Sequence, residues 1–277
     1  MDKKSNTKFY LLTLMKGALI GGTMMVPGCS GGSMAMILGI YDQLVSSISS
    51  FFKSIKKNLI FLLIFVFGAG CGMLLIANPL LSLIEMFEKP TLYFFIGVVA
   101  GGVPLVCKQS KIKKFSWKYM AYVVIGILIV VGISFLPENM FNPDSSPWII
   151  KTLLLLVAGI ISAVALILPG ISVTLMLLVL GLYQSTITAI KEFDFLFLIP
   201  LGVGVILGVF LTTKILELFM KKFPQATYLI ILGFVLGSVG ELFPGFPSGL
   251  EWLICIPLTV AGFVAILLLS KLEESKS

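Results

Sequence analysis

The chain has 277 residues, 58% of them hydrophobic and 12% charged, with a formal net charge of +7. A water-soluble fold of this size needs far more polar surface, so a soluble globular protein is excluded and a polytopic membrane protein is indicated. All 20 basic residues are lysine and there is no histidine, which excludes arginine clamps on phosphate and histidine-based acid–base or metal chemistry.

Apolar runs of about 20 residues recur without period-2 alternation, which predicts an all-α membrane protein rather than a barrel. The first element, 9–50, reads as a helix, a break at "MMVPGCSGG" and a second helix. Lys3, Lys4 and Lys8 precede it and Lys53, Lys56 and Lys57 follow it. Both ends then lie on the lysine-rich side, so the pair is a hairpin that returns to its starting face, either re-entrant or fully crossing. This opening resembles a lipoprotein signal ending at Cys29. Lys16 interrupts the apolar run, however, and Pro27 occupies the cleavage position, so the segment is expected to be mature structure. Spans are predicted at 59–79, 91–107 and 117–136, followed by an acidic loop at 137–147. A second hairpin covers 149–190, and further spans cover 196–213, 227–243 and 252–270. With both termini cytoplasmic, every lysine except Lys16, Lys89, Lys151 and Lys191 falls on the cytoplasmic side. The net charge is therefore a topological signal and no nucleic-acid partner is expected. Cys29, Cys71, Cys107 and Cys255 are scattered without metal-like spacing and read as buried thiols. No metal and no cofactor is predicted.

The chain reads as two copies of one unit. "PGCSGGSMAMILGIY" (27–41) returns as "PGISVTLMLLVLGLY" (169–183), with Pro27 and Pro169 aligned, Gly28 and Gly170, Ser30 and Ser172, and Tyr41 and Tyr183. Gly17 meets Gly159 in the same register. Self-similarity in one order along the whole chain is a duplication signature. The repeats are placed at 1–137 and 138–277. Each holds one hairpin and three crossings. Three is odd, so the second copy enters the membrane inverted, and inverted repeats with broken helices at matching positions are a transporter signature.

The breaks carry the candidate chemistry. A Pro-Gly interruption frees backbone N–H groups that must be buried in protein or line a polar cavity. A helix starting near Ser30 would point those groups at an anion. Gly28, Gly31 and Gly32 allow close backbone approach, and Ser30 and Ser33 add hydroxyls. In the second copy Gly170, Ser172 and Thr174 play these parts, although Val173 and Thr174 replace the glycine pair. The alternative is a plain turn, broken by Pro27 and Pro169, with the serines capping the next helix. Lys16 lies about two turns into the first helix, a depth at which a cation is costly, and would neutralise an anionic headgroup unless it snorkels to the interface. The pairs Gly68/Gly72, Gly97/Gly101, Gly204/Gly208 and Gly233/Gly237 read as helix-packing faces. No carboxylate lies mid-span, so a coupling ion is left unidentified, and nothing resembles a catalytic set.

Gly17, "VPGCSGGSMAMILGIY" and the second "LPGIS…LGLY" together resemble the bacterial polyprenyl-phosphate transporter family, the undecaprenyl-phosphate translocases, over nearly the whole chain. That resemblance implies a flippase rather than an enzyme. It would return undecaprenyl phosphate from the outer to the inner leaflet of the cytoplasmic membrane by alternating access, recycling the carrier for envelope polymers. The family usually has Thr where this chain has Ser33, and Gly-Ser where it has Val173-Thr174. The rival expectation is a transporter of a small soluble anion on the same architecture.

Overall fold

The computed structural model describes residues 3–24, 26, 29–110, 112, 116–138 and 147–274. Twelve α-helices are present among them and no strand: α1 (Lys3–Thr23), α2 (Gly31–Ile37), α3 (Tyr41–Ser49), α4 (Ile55–Met86), α5 (Glu88–Gln109), α6 (Trp117–Ser134), α7 (Trp148–Ile167), α8 (Val173–Val179), α9 (Tyr183–Glu192), α10 (Phe195–Lys222), α11 (Pro224–Leu242) and α12 (Trp252–Glu274). Among the described residues seven stretches are long and apolar enough to cross a membrane, in α4, α5, α6, α7, α10, α11 and α12. The protein is a multi-pass membrane protein. Their lipid-facing surfaces are dominated by exposed Leu, Ile, Val and Phe, as in Leu74, Leu75, Leu196 and Leu253, because lipid tails offer no reason to hide them.

One expectation needs correction. The second arm of each hairpin is not one helix but two. α2 stops at Ile37 and α3 restarts at Tyr41; α8 stops at Val179 and α9 restarts at Tyr183, with α8 and α9 bent by 106°. The cause is the Leu-Gly-x-Tyr motif. Gly39 and Gly181 sit at φ 66° and 69°, a left-handed conformation that glycine adopts without a Cβ penalty. Each closes a short helix with a paired-carbonyl stop: Gly39 N–H donates to Met36 O and Ile40 N–H to Ala35 O, while Gly181 N–H donates to Leu178 O and Leu182 N–H to Leu177 O. The apolar run through 31–50 hid this stop, because hydropathy does not register a single φ change. Most crossings run longer than the predicted spans; α4 covers 32 residues and α10 covers 28, with Pro79 and Pro200 inside them.

Four helix pairs pack through glycines. A Cβ on Gly17 would lie 2.5 Å from Phe65 O, and one on Gly159 2.2 Å from Leu201 O. A Cβ on Gly68 would lie 2.3 Å from Leu14 O, and one on Gly204 2.1 Å from Leu156 O. A Cβ on Gly97 would lie 2.0 Å from Thr259 O, and one on Gly233 2.2 Å from Val123 O. Such approaches put backbone on backbone, which only glycine allows. The registers also fix direction. Along α1 and α4, Gly17 lies on Phe65 and Gly21 on Ala69, so both helices run the same way. Contacts of α7 with α10, of α5 with α12 and of α6 with α11 rise together in the same manner.

The interior is not evenly shared. α2 buries Ser33, Met34, Ala35, Met36 and Ile37, whereas α8 buries only Val179. α3 packs on α10, and α2 packs on α5 and α7. No comparable packing of α9 on α4 or of α8 on α11 occurs among the described residues. The largest buried cluster therefore gathers around α2, α5 and α11.

Candidate functional site

The two breaks meet. Ser30 caps α2 in extended backbone, and its Oγ accepts the Ser33 N–H at 3.0 Å. The same Oγ accepts the Gly170 N–H of the other break at 2.9 Å, across 140 residues of sequence. A hydroxyl has two lone pairs and one proton. With both lone pairs engaged, the Ser30 proton is left for Ser33 Oγ, 2.8 Å away. In this arrangement Ser30 is the joint between the breaks.

Glycines shape that joint. Gly170 has φ +78°, and a Cβ there would lie 2.1 Å from Phe234 O. Gly32 faces Pro169, whose Cα and N would both lie 3.1 Å from an added Cβ. The room that Gly32 supplies thus goes to the other break. Pro169 is fully buried. Tyr41, 3% exposed, closes the contact from below by donating to Ile167 O at 2.8 Å. Tyr183, which aligns with it in the second Leu-Gly-x-Tyr motif, is only partly buried.

Beside the joint lies a cavity of about 600 Å³. Ser30, Gly31, Gly170, Ser172 and Thr174 line it together, so five of the residues expected from sequence face one space. Ser172 caps α8 and accepts the Leu175 N–H at 3.3 Å. The first turns of α2 and α8 have N–H groups without intrahelical acceptors, as any helix start does. Each helix is only seven residues long, so the aligned dipole is weaker than a 20-residue helix would give. Hydroxyls and local amides therefore make up most of the polar donors at this cavity. Ser33 is 2% exposed and Gly32 is engaged by Pro169, so neither lines the cavity. Pro27 and Gly28 lie outside the described residues. Lys16 lines a different cavity, with Lys108 and Gln109.

Sequence reasoning missed most of the wall, including three residues with polar or thiol side chains. Cys29, Ser134 and Glu241 also line the break cavity. Ser134 ends α6 and Glu241 lies in the last turn of α11. A polar residue at the end of an apolar helix reads as an interface residue, so only the packing of the helix ends around the breaks brings these two to the site.

Residues 20–254 match the family model described as undecaprenyl phosphate translocase-like. A Staphylococcus aureus protein called a polyprenyl-phosphate transporter is 32% identical over 96% of this chain and 98% of its own length. A Vibrio cholerae protein of the same name is 28% identical over 89% of this chain and 81% of its own. No solved structure matches the chain significantly.

Proposed function

Since the chain belongs to the undecaprenyl phosphate translocase-like family, a family of transporters rather than enzymes, we propose that it flips undecaprenyl phosphate from the outer to the inner leaflet of the bacterial cytoplasmic membrane. The lipid carrier is thereby returned for another round of envelope polymer synthesis. The observation that carries this reading is the junction itself: two polar, uncharged breaks, far apart in sequence, joined through Ser30 and Gly170 and walling one cavity.

The substrate sets a physical problem that such a site answers. One charge at the bilayer centre costs from about 3 to well over 10 kcal/mol, depending on the measure. A lipid phosphate therefore does not cross unaided at a useful rate, while its prenyl tail can stay in lipid. The protein has to replace only the headgroup's hydration. The Ser172 and Thr174 hydroxyls, with the amides at the start of α2 around Gly31, supply neutral donors that hold an anion and release it again.

The architecture we infer is two inverted repeats, 1–137 and 138–277, each a broken hairpin and three crossings. Parallel pairing of α1 with α4 and of α7 with α10 supports this, because two same-direction helices need the intervening arm to bring the chain back. Equivalent glycine contacts, Gly17 on Phe65 and Gly159 on Leu201, support the duplication. With the termini cytoplasmic by lysine placement, the Ser134 and Glu241 side of the break cavity faces outward. The α3–α10 seam then closes the cytoplasmic side. Ser49 donates to Glu217 across it, Tyr228 of α11 donates to Asp42 Oδ2 at 2.6 Å, and Phe52 stacks on Phe210 at 6.0 Å. The unequal burial of α2 and α8 fits an outward-facing state, and an exchange of their environments would produce the inward-facing one.

Proteoliposomes holding the purified chain and a polyprenyl phosphate test the proposal. Added phosphatase reports how much lipid phosphate remains in the outer leaflet. The protein is expected to move the lipid into the protected leaflet at least tenfold faster than empty liposomes do, without importing inorganic phosphate. Uptake of the soluble ion without lipid movement would replace this reading with a soluble-anion transporter.

A further inference from the structure

A second cavity, of about 390 Å³, lies between α1, α2, α5 and α12 and shares no lining residue with the break cavity. Its polar wall is Lys16 of α1, Lys108 and Gln109 of α5, and Ser270 of α12. The Gln109 Oε1 is shielded from solvent and has no hydrogen-bond partner among the described residues; turning the amide over presents its Nε2 as a donor to an anion in the cavity. Leu12, Met15, Leu19 and Leu269 form its apolar rim and are 40%, 55%, 42% and 44% exposed, so this side of the cavity faces the lipid. Lys108 and Gln109 lie at the C-terminal end of α5, and Ser270 lies near that of α12. These helices run parallel, so both tips are at one end of the molecule, and on the proposed orientation that end is cytoplasmic.

We propose that Lys16, Lys108, Gln109 and Ser270 form a second lipid-phosphate site, which holds the phosphate monoester of a polyprenyl lipid in the inner leaflet while its tail lies against Leu12, Met15, Leu19 and Leu269. The assignment rests on the reading of the chain as a lipid-phosphate transporter and gives that reading an exit station. Charge complementarity selects the occupant. A phosphate monoester carries about −1.5 to −2 charges near neutral pH, so a wall that holds Lys16 and Lys108 attracts it more strongly than it attracts a single charge. The phosphodiester of an ordinary anionic phospholipid carries one. The apolar rim admits a tail, which a free phosphate lacks. A single short helix separates the two stations. Gly31 at the start of α2 lines the break cavity, and Ile37 at its end, with Leu38 and Gly39, lines this one. Seven residues span about 10 Å, so a headgroup passing α2 moves between the two sets of donors. Lys16 thus acts on the far side of α2 from the break.

Native mass spectrometry of the full chain with added undecaprenyl phosphate tests this. The wild type is expected to carry two lipids. The Lys16→Gln/Lys108→Gln double variant should carry one, with apparent affinity for the second lowered at least tenfold, and Lys16→Arg/Lys108→Arg should restore it. Monodisperse elution and an unchanged melting temperature show that the glutamine variant is folded. Three outcomes overturn the second site: wild-type occupancy in the glutamine variant, equal displacement of the second lipid by phosphatidylglycerol, or equal displacement by inorganic phosphate. Flipping by the wild type that persists under any of these leaves the transport reading standing; absent flipping together with no bound lipid removes the transport reading and the second site with it.

Discussion

Replacing Ser30 with alanine should cost far more than replacing Ser172, the serine at the matching place in the second motif. Ser30 Oγ accepts two N–H groups, from Ser33 at 3.0 Å and from Gly170 at 2.9 Å. Ser172 Oγ accepts one, from Leu175 at 3.3 Å. Loss of a serine helix cap costs about 0.5–2 kcal/mol, which is the whole expected effect of Ser172→Ala. Ser30→Ala adds the stranded Gly170 N–H, worth about 1–3 kcal/mol when a buried donor loses its acceptor. Water entering from the adjoining cavity favours the lower half of that range. The expected totals are roughly 1 kcal/mol for Ser172→Ala and roughly 2–3 kcal/mol for Ser30→Ala. Denaturant titration of each variant in mixed micelles measures the difference, and lipid flipping measured in parallel should fall further for Ser30→Ala. Equal destabilisation of the two variants, within about 0.5 kcal/mol, would refute the claim that Ser30 joins the breaks.

The remaining expectations rest on separate contacts. Gly170→Ala forces a side chain onto φ +78° and to 2.1 Å from Phe234 O, so it should cost upwards of about 2 kcal/mol and lower the folded yield. Gly202→Ala, which meets nothing within 4 Å, should be neutral or stabilise its helix by up to about 1 kcal/mol, and thermal unfolding compares the two. Tyr228→Phe removes the donor to Asp42 Oδ2, while Oδ1 has no partner among the described residues. A bond to a carboxylate is worth about 1.5–3 kcal/mol, so the seam beside α3 should open roughly 10- to 100-fold more often. In a chain lacking Cys29, Cys71, Cys107 and Cys255, thiol labelling of Val45→Cys reads that opening. Unchanged labelling would show that the hydrogen bond does not hold the seam.

Sequence alone determined that this chain lives in a bilayer, that its helices are built for close glycine packing, and that Pro-Gly breaks recur at matching positions. These properties are local: hydropathy, residue size and backbone freedom are written at each position and survive any arrangement of the helices. The second break at Gly39 and Gly181 was also present in the sequence, as Leu-Gly-x-Tyr. A lone glycine in an apolar run is tolerated by a helix at a cost of about 1 kcal/mol, so the stop is visible only in its φ. Tertiary structure decided how the polar residues are shared out. Gly32 leaves room for Pro169 and Ser30 receives Gly170. The ends of α6 and α11 bring Ser134 and Glu241 to the break cavity, while Lys16 lies on the other side of α2 with Lys108. Such assignments depend on which helix faces stand within a few ångströms of one another, and that is set by packing between segments more than a hundred residues apart.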